Sequence, residues 1–190
     1  MYIKNSENDL KISFKAFKKK VLKDYELAVL SRECSLLGRR EVFSGKGKFG
    51  IFGDGKELPQ LVMNHFFQNG YYRSGYYRDQ TLLMAQGLLS ISNIFAALYA
   101  DLDLLREPMS GGRQMGGHFT TASRDKKGKW LEVIKLKNHS ADVSPTGSQM
   151  PRLLGLALAS KIYRSYSTKN QKKFSNNGNE IAWGTIGNAS

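Results

Sequence analysis

The stretch Ile181-Ala-Trp-Gly-Thr-Ile186, followed by Gly187-Asn188-Ala189-Ser190, carries the most fold information in the chain. Six residues, mostly apolar and including β-branched and aromatic side chains, run into small polar ones, which reads as a short buried strand ending in a tight loop. Just before it, Asn176-Asn177-Gly178 is a turn signal. Before that turn, Pro151 is well placed as the first residue of a helix. That helix runs through Leu153, Leu154, Leu156, Ala157, Leu158, Ala159 and Ile162. It is apolar nearly all round, which predicts burial. Helix, loop, buried helix, then buried strand is the order of an α/β layer. In open α/β sheets ligands bind at the carboxyl ends of the strands, so the small residues after Ile186 mark a candidate site.

Working towards the amino terminus, residues 130–136 alternate weakly and predict a strand. Residues 106–128 read as loop, with Pro108, Gly111, Gly112, Gly116 and Gly117. Ile91, Ile94, Phe95 and Leu98 predict an amphipathic helix capped by Ser90. Residues 71–80 are rich in tyrosine and arginine. A short helical pattern at Leu61, Val62, Phe66 and Phe67 follows Pro59, and a glycine-rich loop covers 45–56. Phe14, Phe17, Val21, Tyr25 and Ala28 recur three and four apart between Lys15, Lys18, Lys19, Lys20 and Lys23. This predicts a basic amphipathic helix over roughly 11–31 with a solvated lysine face. Residues 1–10 are polar and read as frayed. The chain divides into an amino-terminal helical extension, 1–30, and a domain over 31–190.

The bulk composition is that of a globular domain. Of 190 residues, 41% are hydrophobic and 24% charged, which excludes a disordered chain. No apolar run is long enough to span a membrane. The first residues lack a signal peptide's apolar stretch, and Glu7 and Asp9 argue against a transit peptide. A single cysteine, Cys34, excludes an internal disulfide and fits a reducing, cytoplasmic setting. The net charge of +13 raises nucleic acid as a partner, but the lysines are dispersed.

Four local patterns bear on chemistry. Gly50-x-x-x-x-Gly55-Lys56 is spaced like a phosphate-cradling P-loop. Glu57 follows where a magnesium-holding hydroxyl is needed, and a carboxylate there repels phosphate, so the match is set aside as a nucleotide site. The four tyrosines and two arginines between 71 and 78 fit either a stacking surface for single-stranded nucleic acid or an anion site gripped by Arg78. His65, His118 and His139 are too scattered for zinc. Ser144-Pro-Thr-Gly-Ser-Gln-Met-Pro151 is either a helix-capping loop or a set of oxygen ligands for a substrate or a monovalent cation.

Taken in order, these segments resemble one family, the α part of thiamine-diphosphate-dependent 2-oxo acid dehydrogenases (the E1 component), nearest the branched-chain or 2-oxoisovalerate type. Residues 50–61 resemble its Gly-Glu-Glu-Gly segment. Gly75-Tyr-Tyr-Arg-Asp-Gln80 resembles its G-x-Y-R-[DE] motif, and Gly112-Arg-Gln-Met-Gly-Gly-His-Phe119 its G-R-Q-M-x-x-H-[YF] motif. Residues 144–151 resemble its S-P-x-x-[ST]-Q-x-P loop, and Gly184-Thr-Ile-Gly-Asn-Ala-Ser190 the strand and loop that hold its metal. Each match alone is weak. Five in collinear order, from about residue 30 onward, carry the resemblance.

The resemblance implies a thiamine-diphosphate-binding α/β fold, of which this chain is an incomplete, amino-terminal part of the α-type domain. It implies that Tyr77 and Arg78 contact the diphosphate and that Ser144 and Thr146 flank the cofactor ring. Gly187, Asn188 and Ala189 would form the metal loop, with Asn188 as a magnesium ligand. Pro145, Ser148 and Gln149 would help form a potassium site. The implied reaction is decarboxylation of a 2-oxo acid on the cofactor, then acyl transfer to the lipoyl domain of an acyltransferase (E2). Asn188 stands where the family has a charged ligand. The second metal ligand, the active-site histidine and the β-type domain with its activating glutamate lie outside these 190 residues. The resemblance therefore predicts no catalytic residue in the chain and no activity from it alone. An inactive remnant of such an enzyme and a basic nucleic-acid-binding module are the alternatives.

Overall fold

The computed structural model describes residues 12–166 and 171–187. The elements run α1 (Phe14–Phe43), α2 (Glu57–Phe66), β1 (Tyr72–Tyr76), α3 (Gln80–Ala85), α4 (Ile91–Leu98), β2 (Asn138–Val143), α5 (Gln149–Ser165), α6 (Gln171–Phe174) and β3 (Ala182–Gly184). The three strands form one parallel sheet in the order β2-β1-β3. Tyr72 pairs with Asn138 on one side and with Ala182 on the other. The β1–β2 register slips between Ser74 and Tyr76. Parallel neighbours require crossovers, and here helices supply them. Helix α5 packs across β1 and β3, while α1, α2 and α3 form a second helical cluster.

The sheet is held by polar side chains as much as by apolar ones. Arg73, on the central strand, is fully buried. Its guanidinium donates to Asp142 Oδ1 at 2.9 and 3.1 Å, and its Nε lies 3.3 Å from Asp79 Oδ2. Gly75 makes this possible, because a Cβ there would stand 1.7 Å from Asp142 Oδ1. On the neighbouring residues, Ser74 Oγ donates to the Gln149 carbonyl of α5 at 2.8 Å, and the Tyr72 hydroxyl to the Phe174 carbonyl of α6 at 2.7 Å. An apolar core of Leu61, Phe67, Leu82, Leu83, Leu98, Phe119 and Val133 fills the space around them.

Several expectations meet the structure unevenly. The helix at α4 begins where Ser90 predicts, and Ser90 and Asn93 form a reciprocal capping box. The Asn177-Gly178 turn is present with both residues at positive φ. The strand expected at 130–136 is a correction. Trp130 makes only an isolated bridge with Arg124, Val133–Lys135 is one turn of 3₁₀ helix, and the strand lies at Asn138–Val143. β2 is polar, so it gives no alternating signal. Asn138 Nδ2 instead donates to the Tyr71, Val133 and Leu136 carbonyls, a network that holds the strand without apolar burial.

Two helices also differ from expectation. Helix α5 starts at Gln149, two residues before Pro151, and is not buried all round. Gln149 and Ser160 are its buried residues, while Leu154, Leu158 and Ile162 are exposed. Helix α1 extends to Phe43, and Phe14, Phe17, Val21 and Tyr25 all face solvent. Their spacing is helical, but no described element covers them. Burial on α1 begins at Ser31 and continues through Cys34, Ser35 and Gly38. Desolvation raises the Cys34 thiol above its ordinary range. Among the described residues no helix is long and apolar enough to cross a membrane.

Candidate functional site

Because all three strands run parallel, their carboxyl ends open on one edge of the sheet. β1 delivers Tyr77 and Arg78 there, β2 delivers 144–146, and β3 delivers 185–187. Such edges are where open α/β sheets bind ligands. An open cavity of about 660 Å³ lies at this edge, lined by Tyr76, Tyr77, Arg78 and Thr146 together with Arg39, Asp54, Lys56 and residues 50–52.

Arg78 is the organising side chain. Its Nη1 donates to the Tyr76 hydroxyl at 2.8 Å and to the Tyr77 hydroxyl at 3.4 Å. The Tyr76 hydroxyl donates to that of Tyr77 at 3.0 Å. The two rings lie 4.2 Å apart, and the guanidinium stands 5.1 Å from the Tyr77 ring centroid. The hydrogen bond from Tyr76, with one from Thr146 and the charge of Arg78, pulls the Tyr77 hydroxyl below the ordinary tyrosine range. Burial, together with the donated bond to Tyr77, pushes Tyr76 the other way. The result is a cationic, donor-rich corner suited to a doubly charged oxyanion.

Ser144 is held through His118, to which the sequence reading gives no role beyond its place in the 112–119 motif. His118 Nδ1 bonds the Met115 carbonyl at 2.9 Å, which fixes the proton on Nδ1 in the neutral ring. Nε2 is then free to accept from Ser144 Oγ, 2.5 Å away. The usable signal for this role is the position of His118 at the end of the 112–119 motif. A second, apolar cavity of about 60 Å³ adjoins the first. His118, Asp142, Met115, Leu83 and Leu98 line it, and it shares Phe52 and Tyr77 with the larger one.

Two of the three expected cation ligands are hydrogen-bonded to each other. Pro145 offers its carbonyl to Ser148, which donates to it from Oγ at 2.8 Å and from its backbone N–H at 3.2 Å. Gln149 is fully buried, and its Nε2 donates to the Thr185 carbonyl at 2.7 Å. Its Oε1 is a buried acceptor with no hydrogen-bond partner among the described residues. Gln149 therefore presents a free buried acceptor, and Ser148 Oγ, which donates to Pro145, keeps its lone pairs for a cation or a further donor. Gly187 is buried beyond β3. Asn188 and Ala189, the expected magnesium ligand and its neighbour, lie outside the described residues. Among the described residues no three His, Cys, Asp or Glu side chains cluster as a metal site.

The buried ion pair underlies this edge. Asp79 lies between Arg73 and the Thr185 hydroxyl, so it ties the turn after β1 to the loop after β3. Burial pushes its carboxyl up, against the opposing pull of Arg73. Burial likewise raises Asp142 to about 6, partly offset by Arg73 and reinforced by Asp79. Sequence reasoning passed over Arg73 because an arginine in a tyrosine-rich segment reads as surface. Neither a scan against protein-family models nor a search of curated proteins gives a match to this chain.

Proposed function

We propose that the chain is an amino-terminal portion of the α part of a thiamine-diphosphate-dependent 2-oxo acid dehydrogenase (E1), nearest the branched-chain type, and that it works in the cytoplasm. The observation that carries this reading is the meeting of Tyr77, Arg78 and Thr146, from two separate motifs, around one cationic cavity at the carboxyl edge of a parallel sheet. The remainder of the α part and a β-type domain complete the site, and a lipoyl-bearing acyltransferase takes the acyl product.

Thiamine diphosphate, when bound, supplies the carbon that adds to the 2-oxo acid and stores the electron pair left by decarboxylation. The chain's own residues bind and position. Arg78 would hold the diphosphate, and the Tyr77 hydroxyl, pulled below the usual tyrosine range by the bond from Tyr76, would donate beside it. His118 accepts the Ser144 proton and so fixes the loop that flanks the ring. Gln149, braced by Ser74 and Thr185, leaves its amide oxygen for a cation such as potassium. Magnesium would bind through the loop containing Asn188, beside Gly187 and Ala189.

Thermal unfolding with and without thiamine diphosphate and magnesium tests the reading, since a ligand specific to the folded form raises its stability. The midpoint should rise with cofactor, and Arg78→Ala should abolish most of the rise. A midpoint unmoved by saturating cofactor would refute the assignment.

A further inference from the structure

The cavity beside Arg78 has a second cationic wall, formed by the loop that the sequence reading set aside. Lys56, on that loop, lines the cavity together with Arg39 of α1 and the tyrosine pair. Asp54 is the one carboxylate among the lining residues, and it is bound to Arg39 Nη2 at 2.5 Å. Lys56 and Arg78 make no ion pair among the described residues, so two cationic charges face the same space uncompensated.

Lys56 is placed by backbone rather than by chance exposure. A turn closes from Lys56 N–H to the Gly53 carbonyl at 3.1 Å. Gly53 rests on the Arg78 carbonyl, where a Cβ would come within 2.5 Å of the oxygen. Gln60 Nε2 donates to that same oxygen at 2.9 Å. The turn carrying Lys56 is therefore docked directly on the backbone of Arg78.

The objection to phosphate binding here was Glu57. In the structure that carboxylate does not line the cavity. It is buried, accepts the Gly55 N–H at 3.0 Å on each oxygen, and is neutralised by Arg32 at 2.9 and 3.3 Å. Its negative charge braces the turn from behind.

We infer that Lys56 is a phosphate ligand of this cavity. Lys56 and Arg78 each take one phosphate of a diphosphate ester, with the Arg39–Asp54 pair at the flank, so that the site selects diphosphates over monophosphates. The inference rests on the reading of the cavity as a diphosphate site and adds the residue that counts the phosphates.

Titration calorimetry at low salt on the whole chain, with inorganic pyrophosphate, orthophosphate and thiamine diphosphate, tests it. The wild type should bind pyrophosphate at least about tenfold tighter than orthophosphate, as one further charge-assisted contact provides. Lys56→Gln should erase that preference by weakening pyrophosphate about tenfold, whereas Lys56→Arg should keep it. Unchanged pyrophosphate affinity in Lys56→Gln, or no preference in the wild type, overturns the inference. If thiamine diphosphate binds through Arg78 yet ignores Lys56, the cofactor reading stands and the role of Lys56 falls. If pyrophosphate binding needs Lys56 but thiamine diphosphate binds no tighter than pyrophosphate, the role of Lys56 stands and the cofactor reading falls.

Discussion

Replacing Arg73 by methionine exposes how the sheet is held. The side chain is fully buried between Asp142 and Asp79, themselves almost fully buried. Methionine fills similar volume, so the loss is chiefly electrostatic. Removing one partner of a buried ion pair costs about 3–5 kcal/mol, because the remaining charges stay desolvated. That is at least about a fifth of the stability of an ordinary domain, about 5–15 kcal/mol. The cost should also depend on pH. Burial raises Asp142 to about 6 against the pull of Arg73, and it raises Asp79 likewise. Without Arg73 both should rise further. The folded variant then holds protons that the unfolded chain releases, so its stability falls as pH climbs from about 4 through the raised folded values. At pH 5 Asp142 is largely neutral and the deficit shrinks, by up to about 1.4 kcal/mol per proton and pH unit. His139, which also feels the charge of Arg73, moves the difference in the same direction. Urea unfolding of wild type and variant at pH 5 and pH 8 measures both quantities. A deficit below about 1 kcal/mol at pH 8, or one equal at the two pH values, would refute the argument.

Other outcomes follow from the same geometry. Gly75→Ala should cost about 1–3 kcal/mol by overpacking, since its Cβ would collide with Asp142 Oδ1, and thermal unfolding reads this directly. Burial pushes Glu107 up, but hydrogen bonds from Gly112, Ser110 and Met109 outweigh it and depress its carboxyl. Its contribution should thus be complete above the usual carboxylate range and fade as pH falls below it, and Glu107→Gln should remove that acid-side slope from a stability–pH profile. Burial, aided by the charges of Arg73 and Lys137, lowers His139 to about 2, so the folded ring stays neutral while the unfolded one protonates. The contribution of His139 should therefore increase with pH up to about 6.5, against the opposite slope of the raised Asp142 and Asp79, and His139→Gln should remove that contribution from the profile. Leu158→Ser, on the exposed face of α5, should change stability by less than about 0.5 kcal/mol yet reduce light scattering at high concentration, if that face drives association.

Local chemistry made parts of the fold legible in the sequence. Ser90 and Asn93 announce a capped helix, and Asn177-Gly178 a turn, because both signals are complete within a few residues. Of the residues that the sequence places at the carboxyl edge, Tyr77, Arg78 and Thr146 line one cavity. What escaped notice depended on distant partners. The strand at Asn138–Val143 and the burial of Arg73 both require residues dozens of positions away, and neither leaves an apolar trace. The opposite error occurred at α5, where Leu154 and Leu158 look like core but have no described element over them. Lys56 was discounted because Glu57 follows it, and only the position of Arg32 shows that this carboxylate is already neutralised.

The placement of β1 in the middle of the sheet also orders events in time. Tyr72 finds its partners at Asn138 and Ala182, so neither side of the central strand can close until a long stretch of chain has been made. Helices such as α1 and α4 can form locally while β1 still lacks both neighbours. Closing such long loops before any pairing is gained slows folding, and it leaves the strand's unpaired N–H and C=O groups open to other nascent chains. Buried Arg73 sharpens the ordering, since Asp79 is at hand early while Asp142 arrives only with β2. The charge at the centre of the sheet therefore gains its second carboxylate only when β2 is in place.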